Sequence, residues 1–292
     1  MRLMPALRRW AATVALALLL AAGCAALGVW QWNRHVDRSA AVAVVQANYD
    51  AAPVPLADVT GVTDVTGGSG IAADQVWRVV DVEGHYLTDA TVLLRNRPVD
   101  GQAGFHVLEP LLVQGGALDG SILVVDRGWV PTGLDGSGAA SVPTAPAGTV
   151  ELLARLRADE RPSTRSAPDG QVQAISVDQV RAAADTPQWV ADTTTIRAYA
   201  MAVTENGAAP VDLGPLARPD TGLGSHLSYA FQWWVFALGA LVGCGVLIVR
   251  DVRDDRAPAA DGGPAETMPR SRRRHRVTAE EEEDALLDAQ TG

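Results

Sequence analysis

Two runs of uncharged, mostly apolar residues, one near each end of the chain, limit what this sequence can fold into. The first covers residues 10–32 and the second residues 226–249. A membrane-spanning helix needs about 20 apolar residues, because each residue advances the helix by roughly 1.5 Å across a hydrocarbon core of about 30 Å. Tryptophans, which favour the membrane–water boundary, close the first run and open the second: Trp30, Trp32, Trp233 and Trp234. The sequence therefore predicts two transmembrane helices.

The distribution of positive charge predicts how these helices are oriented. The chain contains no lysine, and arginines lie just before the first run and just after the second: Arg2, Arg8, Arg9, Arg250, Arg253 and Arg256. Positive residues near the ends of a span remain in the cytoplasm. We therefore expect a two-pass protein of the cell (inner) membrane. Residues 1–9 and 250–292 would be cytoplasmic, and residues 33–225 would form an extracytoplasmic domain.

A cleaved signal peptide is the alternative interpretation of the first run. Residues 20–24 (LAAGC) resemble a lipoprotein cleavage box. The apolar run continues past Cys24 to Trp30, however, and this length favours a retained helix. Cys24 and Cys244 both lie inside the runs. Residues 33–225 therefore contain no cysteine, which excludes a thiol–disulfide enzyme or a Cys-based copper carrier there.

The segment between the two runs has the pattern of a β-rich domain. Strand-like stretches separated by turn-rich segments cover residues 75–86, 91–97, 104–114, 121–130, 149–157 and 188–205. The short spacings favour antiparallel pairing, and residues 177–185 have a helical pattern. We expect Gly84 to mark a bulge or a turn. The predicted fold class is α+β, with two transmembrane helices flanking a mostly antiparallel β domain that carries one short helix.

Recognisable catalytic motifs are absent from the sequence. It has no H-E-x-x-H zinc spacing, no G-x-S-x-G elbow, no phosphate loop and no dinucleotide-binding glycine motif. We therefore expect no enzymatic activity. We also expect no nucleic-acid partner. A membrane-tethered enzyme assembled from scattered Ser, His and Asp residues is the alternative that a single sequence leaves open.

His226 stands at the first turn of the second run, with Tyr229 on the same helix face three residues later. Imidazole commonly holds haem iron, and the flat macrocycle needs aromatic walls, which Trp30, Tyr229 and Trp233 would supply. Arg34 lies one turn beyond Trp30, where it would face a haem propionate. Together with Gln31, these residues predict a haem site at the membrane boundary.

The alternative interpretation is that the same residues only anchor the helices at the interface. Arginine at the end of a span often extends towards the lipid headgroups. Arg34 and its neighbour Gln31 are open to this reading, and spacing alone favours it.

Residues 126–131 (DRGWVP) end a predicted strand with a polar and aromatic cluster. Arg127 pairs either with Asp126 or with a carboxylate across the sheet. Trp129 is a candidate core residue. Gly128 gives the backbone freedom between two bulky neighbours.

Arg95 and Arg97 lie two residues apart in a second predicted strand. Side chains at this spacing share one face of a strand. Two like charges on one face predict acidic partners or an anionic ligand, and the alternative is a solvated strand face.

Several segments, in the same order along residues 10–250, resemble the surfeit locus protein 1 family of cytochrome c oxidase assembly factors. In Asp126-Arg127-Gly128-Trp129, aspartate stands where the family usually has asparagine. The segments are 27–34 (LGVWQWNR), 53–56 (PVPL), 82–86 (VEGHY), 94–97 (LRNR) with Gly104 after it, 124–131 (VVDRGWVP), and 226–230 (HLSYA) with Gln232 and Trp233.

The resemblance implies a non-enzymatic chaperone in respiratory-chain biogenesis that helps to place haem into the catalytic subunit of a haem–copper oxidase. It implies that His226 contacts a transiently bound haem, with haem a as the expected type. The expected partners are that catalytic subunit, membrane lipids and, as a further candidate, enzymes of haem biosynthesis. A cofactor-free membrane scaffold that stabilises an oxidase subunit is the alternative.

The C-terminal segment lies outside the resemblance. Its composition predicts a largely disordered tail. The basic block at residues 272–276 (RRRHR) suits either contact with the anionic inner leaflet or simple solvation.

Overall fold

The computed structural model describes residues 3–62, 70–134, 136, 138–184, 186–189 and 193–256. The predicted basic block and most of the tail lie outside these residues. The described helices are α1 (Leu3–Asn48), α2 (Val177–Ala184) and α3 (His226–Arg256). The described strands are β1 (Val54–Pro55), β2 (Val79–Tyr86), β3 (Val92–Leu94), β4 (Gly104–Val113), β5 (Ile122–Pro131), β6 (Val150–Ala158), β7 (Gln171–Val172) and β8 (Thr195–Glu205).

The described residues divide into two compact units. The first part of α1, up to Leu18, groups with α3 from Ala240 onwards. In this unit the Trp10 Nε1 atom donates a hydrogen bond to Asp251 Oδ2 at 2.8 Å. The other unit, Leu19–Gly239, contains the sheet, α2 and the remaining parts of both long helices.

Both long helices are apolar and long enough to cross a membrane, at Trp10–Asn48 and His226–Asp254. A helix in a water-soluble protein buries its large apolar side chains, but here Leu19 is 71% exposed and Val235 is 65% exposed. These two helices are consistent with a membrane-anchored protein.

The first helix continues well past its apolar run. As its Ala/Val-rich sequence indicates, α1 extends through residues 33–48 and ends before Pro53, since proline disfavours helix at itself and at the preceding residue. Through this extension, α1 remains one continuous helix from the apolar run to the edge of the sheet domain.

The eight described strands form one mixed sheet, with the order β1-β2-β6-β8-β5-β4-β3-β7. Because β2 also pairs with β4, the strands β2, β6, β8, β5 and β4 close into a barrel. Three pairings are parallel, namely β1–β2, β3–β7 and β5–β8. The prediction of a mostly antiparallel domain is therefore wrong.

The long connection before β8 explains this difference. Parallel neighbours need a long crossover, usually with a helix, and residues 159–194 supply one that contains α2. This connection lets β8 run parallel to β5 while it pairs antiparallel with β6. The spacing of the earlier strands, which was the basis of the prediction, contains no signal for this crossover.

Strand β8 is buried on both faces in its central part. Ala198 and Ala200 face the apolar interior of the barrel, while Tyr199 lies in a second core beneath α2. All three are almost inaccessible to solvent. This agrees with the absence of a cleanly polar face in the sequence of the strand.

Gly84 occupies neither a bulge nor a turn, contrary to the sequence-based expectation. It lies inside β2 at the position where this strand pairs with Val113 of β4 and Val150 of β6. A Cβ atom at Gly84 would lie 2.5 Å from the Leu112 carbonyl oxygen. Glycine is therefore required because β4 approaches β2 closely where the barrel closes.

We expect Gly84→Ala to destabilise the barrel by about 1–3 kcal/mol, because the added methyl group must push β4 away from β2. Gly138→Ala is the matched control, since a Cβ atom there has nothing within 4 Å. Thermal unfolding of the two variants, followed by circular dichroism, measures the difference. Equal melting temperatures would contradict this account of the closure.

Candidate functional site

The start of α3 is joined to the middle of α1 by a hydrogen bond between His226 and Gln31. The His226 Nδ1 atom lies 2.9 Å from Gln31 Oε1. An amide oxygen accepts but does not donate, so Nδ1 is the donor and, in the neutral ring, Nε2 has the free lone pair. His226 is partly buried. The arrangement fixes one tautomer of the ring and leaves the other nitrogen able to bind an electrophile or a metal ion.

A glycine lets the two helices approach each other beside this hydrogen bond. A Cβ atom at Gly28 would lie 2.2 Å from Trp234 Nε1, so the indole ring occupies the space that a side chain would need. The Trp234 ring also packs against Trp32, with ring centroids 6.1 Å apart, and edge-on against Phe231 at 5.6 Å. Packing of this kind holds the imidazole of His226 against Gln31. We call this contact between α1 and α3 the helix junction.

The structure brings only some of the predicted site residues together. His226 and Gln31 are in contact, whereas Trp30 is 55% exposed and Tyr229 is 48% exposed. Arg34 is also exposed and forms no hydrogen bond or ion pair with the part of the chain that is described. The aromatic contact between the helices is made instead by Trp32 and Trp234, which sequence reasoning treated only as boundary markers.

Arg38 of α1 binds the segment that precedes α3, at Asp220 and Gly222. Sequence reasoning missed this contact. Its Nε atom donates to the Gly222 carbonyl oxygen at 2.9 Å. Its Nη2 atom donates to the Asp220 carbonyl oxygen at 2.7 Å and to Asp220 Oδ2 at 3.0 Å. The available signal was spacing, since Arg38 lies seven residues after Gln31 and therefore on the same helix face. The clamp positions the chain just before His226.

The far end of α1 is attached to the barrel through polar and aromatic contacts. The Asn48 side-chain amide donates to the Asp74 and Val76 carbonyl oxygens at 2.6 and 2.9 Å. The guanidinium groups of Arg155 and Arg218 lie 3.8 and 4.4 Å from the centre of the neighbouring Tyr49 ring. Cation–π contacts at these distances are attractive, so the helix extension and the barrel are joined directly.

Inside the barrel, Arg127 pairs with two carboxylates across the sheet. Its Nε and Nη2 atoms donate to Glu205 Oε1 and Oε2 at 2.7 and 3.0 Å, and its Nη1 atom donates to Glu109 Oε2 at 3.0 Å. The Tyr86 hydroxyl donates to Glu205 at 2.9 Å, and the Thr91 hydroxyl donates to Glu109 at 3.1 Å. Of the two predicted pairings for Arg127, the one with a carboxylate across the sheet is confirmed.

Burial sets the protonation behaviour of this cluster. It raises the pKa of Glu109 above the ordinary value, although the charge of Arg127 opposes the shift. It also raises the pKa of the Tyr86 hydroxyl, and the nearby charge of Glu205 adds to the shift. Two carboxylates share one guanidinium here, so the interior cluster depends on Arg127 for its balance of charge.

Asp126 pairs with His106 on the opposite face of the sheet. The Asp126 Oδ2 atom lies 2.8 Å from His106 Nδ1, and both residues are buried. Burial raises the pKa of the Asp126 carboxyl, while the hydrogen bond to His106 opposes that shift. Neighbouring residues of one strand point to opposite faces, which explains why Asp126 and Arg127 take different partners.

Arg95 and Arg97 do not share a strand face, so that expectation is wrong. Strand β3 ends at Leu94, and Asn96 has a φ of +60°, which turns the chain between the two arginines. The Arg97 Nη2 atom donates to Glu160 Oε2 at 2.9 Å. The backbone N–H of Arg95 donates to the Val172 carbonyl oxygen. Arg97 thus has the acidic partner that was expected. It reaches this partner because a turn at Asn96, and not a continuous strand, separates it from Arg95.

Gly128 and Trp129 tie the segment before α3 to the barrel. Gly128 has a φ of +151°, and a Cβ atom there would lie 2.8 Å from Leu213 Cβ. Trp129 and Gly214 exchange two backbone hydrogen bonds, at 3.0 and 2.7 Å. The Trp129 side chain is partly buried rather than part of the core. The backbone freedom expected of Gly128 therefore allows residues 213 and 214 to approach β5 closely.

Comparison with known sequences places this arrangement in a family. A sequence model of the SURF1 family matches residues 18–238, a range that includes the helix junction and the whole barrel. The chain belongs to the SURF1 family. This confirms the resemblance found in the sequence. SURF1 proteins are generally assembly factors for cytochrome oxidase and are not known as enzymes.

Among its relatives in the SURF1 family are uncharacterized SURF1-like proteins of Mycobacterium bovis and of two strains of Mycobacterium tuberculosis. Each is 32% identical over 242 residues, which cover 82% of this chain and 82% of the relative. The match therefore extends over most of both proteins and is not limited to the short motifs.

We expect Arg127→Met to destabilise the barrel by about 3–5 kcal/mol at neutral pH, because it leaves Glu109 and Glu205 buried without a counter-charge. Burial already raises the pKa of Glu109, and loss of the opposing charge of Arg127 would raise it further above its unfolded value. The loss of stability relative to the wild type should therefore be largest at high pH. It should shrink as the pH falls through the raised pKa of Glu109. Unfolding midpoints measured across pH test this expectation.

Arg197→Met is the matched control for Arg127→Met. Arg197 pairs with Asp178 at 2.8 Å on a partly exposed surface, so its loss should cost less than about 1 kcal/mol. Equal losses of stability in the two variants would contradict the role assigned to Arg127.

We expect Gly28→Leu to separate α1 from α3 at Trp234, whereas Gly23→Leu should not, because a Cβ atom at Gly23 has nothing within 4 Å. The measurement is the yield of cross-linking by a short bifunctional maleimide between Gln31→Cys and His226→Cys, with both native cysteines replaced by serine. A yield that Gly28→Leu leaves unchanged would show that the helices do not depend on this contact.

Proposed function

We propose that this SURF1 protein is a two-pass membrane assembly factor that holds a haem at the junction of α1 and α3 and passes it to the catalytic subunit of a haem–copper oxidase. The observation that carries the proposal is the hydrogen bond from His226 to Gln31. Family membership supports the oxidase. The hydrogen bond and its surroundings support the cofactor.

His226 has the chemistry required of a residue that would hold haem iron. Histidines that bind metals usually donate their other ring N–H to a fixed acceptor, which sets the tautomer and raises the basicity of the ligating nitrogen. Gln31 Oε1 is such an acceptor, and it leaves Nε2 with its lone pair. Bound haem would supply an iron that accepts this nitrogen. Gln31 therefore acts as a positioning residue for His226.

The exposed neighbours of His226 favour an open site. Trp30 and Tyr229 are about half exposed, and Arg34, one turn beyond Trp30, is exposed and has no acidic partner in the described part of the chain. An unpaired guanidinium at the water boundary is suited to a haem propionate, and exposed aromatic rings are suited to the macrocycle. A site open on one side fits a cofactor that is bound transiently and then handed on.

The membrane arrangement is part of the same proposal. Apolar side chains are exposed along both long helices, and lipid would cover them in a bilayer. The excess of arginine beyond the apolar runs supports a cytoplasmic position for both termini. The barrel would then lie on the extracytoplasmic side of the cell membrane. His226 and Gln31 would lie at the outer boundary, where an oxidase subunit in the same bilayer can reach them.

A cofactor-free scaffold is the second candidate function. Gly239 on α3 has nothing within 4 Å of an added Cβ atom, which leaves a notch that a helix of an oxidase subunit can approach closely. In this case the helices and the barrel would stabilise the subunit directly, and His226 would serve only to hold α1 and α3 together.

Haem binding by the full chain in detergent or lipid nanodiscs distinguishes the two functions. We expect a Soret band for the wild-type protein. His226→Ala should abolish it, and Gln31→Leu should weaken haem binding by about 10–100-fold, because the ring loses its fixed tautomer. His85→Ala, on β2 of the barrel, is the matched control and should bind like the wild type.

An unchanged Soret band in His226→Ala would contradict the proposal. If that variant also supports oxidase assembly in cells, while a bulky replacement of Gly239 prevents it, the scaffold function is the correct one.

A further inference from the structure

An apolar groove lies between the extension of α1 and the start of β2, within the unit that contains the barrel. Its volume is about 660 Å³, within the roughly 300–1,000 Å³ typical of sites for small ligands. Its walls include Ala41 and Val45 of α1, Val76 and Trp77 just before β2, and Pro219 of the segment before α3. Most of this lining is hydrocarbon or aromatic, so the groove favours a ligand with a long apolar part.

One guanidinium group in the groove has no acidic partner. Arg157 of β6 has no ion pair within the described part of the chain, and its Nε atom is buried without a hydrogen-bond acceptor. Its guanidinium carbon lies 3.8 Å from the centre of the Trp77 ring. Such stacking leaves the N–H groups, which lie in the plane of the guanidinium, able to donate. A buried donor without an acceptor is costly and rare in a folded protein, so the groove offers an unused donor beside its apolar surface.

The Trp77 residue that stacks on Arg157 has an unusual backbone conformation. Its φ is +70°, a value that bulky residues rarely adopt. The Trp77 ring also contacts Tyr49, with ring centroids 5.6 Å apart, and packs with Val45. Strained residues of this kind are concentrated at ligand sites, where the surrounding structure maintains the strain. These contacts fix the indole ring and the Arg157 guanidinium against each other at the end of the groove near Val45.

The other charged groups that line the groove are paired or exposed to water. Arg38 is neutralised by Asp220, with Nη2 and Oδ2 3.0 Å apart. Asp74 is exposed, so water weakens the effect of its charge. Arg157 is thus the charged group left for a ligand to pair with, and charge complementarity requires that the ligand be an anion.

We propose that the groove binds a long-chain fatty acid, with its carboxylate on Arg157 and its hydrocarbon chain along α1 towards Arg38. Arginine matches a carboxylate through two parallel hydrogen bonds, each roughly twice as strong as one between neutral groups. The chain would cover Ala41 and Val45, and burial of each methylene group is favourable. The proposed function does not include this ligand, and Gln31 and His226 of the helix junction do not line the groove.

The position of the groove favours a fatty acid over a phospholipid of the membrane. Arg38, at the near end of the groove, follows Trp32 by six residues, which is about 9 Å along the helix. Trp32 marks the predicted membrane boundary. A phospholipid would have to lift its acyl chains out of the bilayer to reach Arg157, whereas a fatty acid can enter from water as a monomer.

A bound fatty acid would contact three parts of the protein at once, namely α1, the barrel and the segment before α3. A ligand that binds only the folded state stabilises it. Occupancy of the groove would therefore strengthen the attachment of the α1 extension to the barrel.

Photolabelling locates the ligand. Palmitate that carries a diazirine near the end of its chain is titrated into the full-length protein in phosphatidylcholine nanodiscs, and mass spectrometry locates and quantifies the adducts after illumination. We expect saturable labelling of α1 within residues 38–45. Unlabelled palmitate should compete with the probe at least roughly tenfold better than hexadecanol, because the alcohol has the same chain but no charge to pair with Arg157.

Variants at Arg157 test the contact with the carboxylate. Arg157→Met should weaken the binding of palmitate roughly tenfold or more and leave the binding of hexadecanol unchanged, whereas Arg157→Lys, which keeps the charge, should recover part of the affinity. Arg165→Met is the matched control, since Arg165 is exposed and does not line the groove, and it should bind palmitate like the wild type. Equal affinity of the wild type for palmitate and hexadecanol, or equal losses for both in Arg157→Met, would overturn the assignment.

A second pair of variants tests the apolar part of the site. Ala41→Phe fills the groove and should abolish the labelling of α1. Ala43→Phe is the matched control, since Ala43 is exposed on α1 and does not line the groove, and it should be labelled like the wild type. Labelling that survives Ala41→Phe would show that the chain lies elsewhere.

Further outcomes separate the fatty acid from other occupants of the groove and from the proposed haem. His226→Ala should be labelled like the wild type, so a failure to bind haem at His226 would leave the fatty acid site standing. Labelling of residues 38–45 by a diazirine phospholipid that palmitate does not displace would assign the groove to a membrane lipid and overturn the proposal. Absence of labelling by both probes would overturn it as well and leave the groove to a segment of a partner protein.

Discussion

The continuity of α1 fixes the relation between the parts of the SURF1 domain. From Leu19 onwards a single helix carries Gln31, Arg38 and Asn48, which contact His226, the segment before α3, and the backbone just before β2, respectively. A regular helix sets both the rise and the rotation between its residues. A kink or an inserted residue between Gln31 and Asn48 would change the position of the imidazole relative to the barrel. The stability of the barrel and the geometry of the junction are therefore linked through one element.

The barrel interior shows why this family motif combines arginine, glycine and tryptophan. Arg127 faces inwards and balances two buried carboxylates, whereas Gly128 and Trp129 contact the segment that leads to α3. Buried charges are tolerated only when they are paired and fully hydrogen-bonded. One short stretch of β5 thus stabilises the core of the barrel and also fixes the chain that delivers His226.

The sequence was informative where structure follows local pattern. The two apolar helices, the extension of α1, most strands and α2 were predictable from periodicity and from proline and glycine signals. The parallel pairing of β8 was not, because a crossover depends on contacts between distant segments. The contact of Gln31 with His226 requires the register of two helices, and spacing along either one does not contain it. For the same reason Trp32 and Trp234, which differ from Trp30 and Trp233 only in rotation around each helix, could not be singled out.

Barrel closure also limits how this protein can associate with copies of itself. Unpaired backbone groups on an edge strand can be extended by a strand from another molecule. In the described sheet, the edges are β1 and β7, each two residues long, and β1 contains Pro55, which has no N–H group to offer. The sheet thereby exposes little template for aggregation.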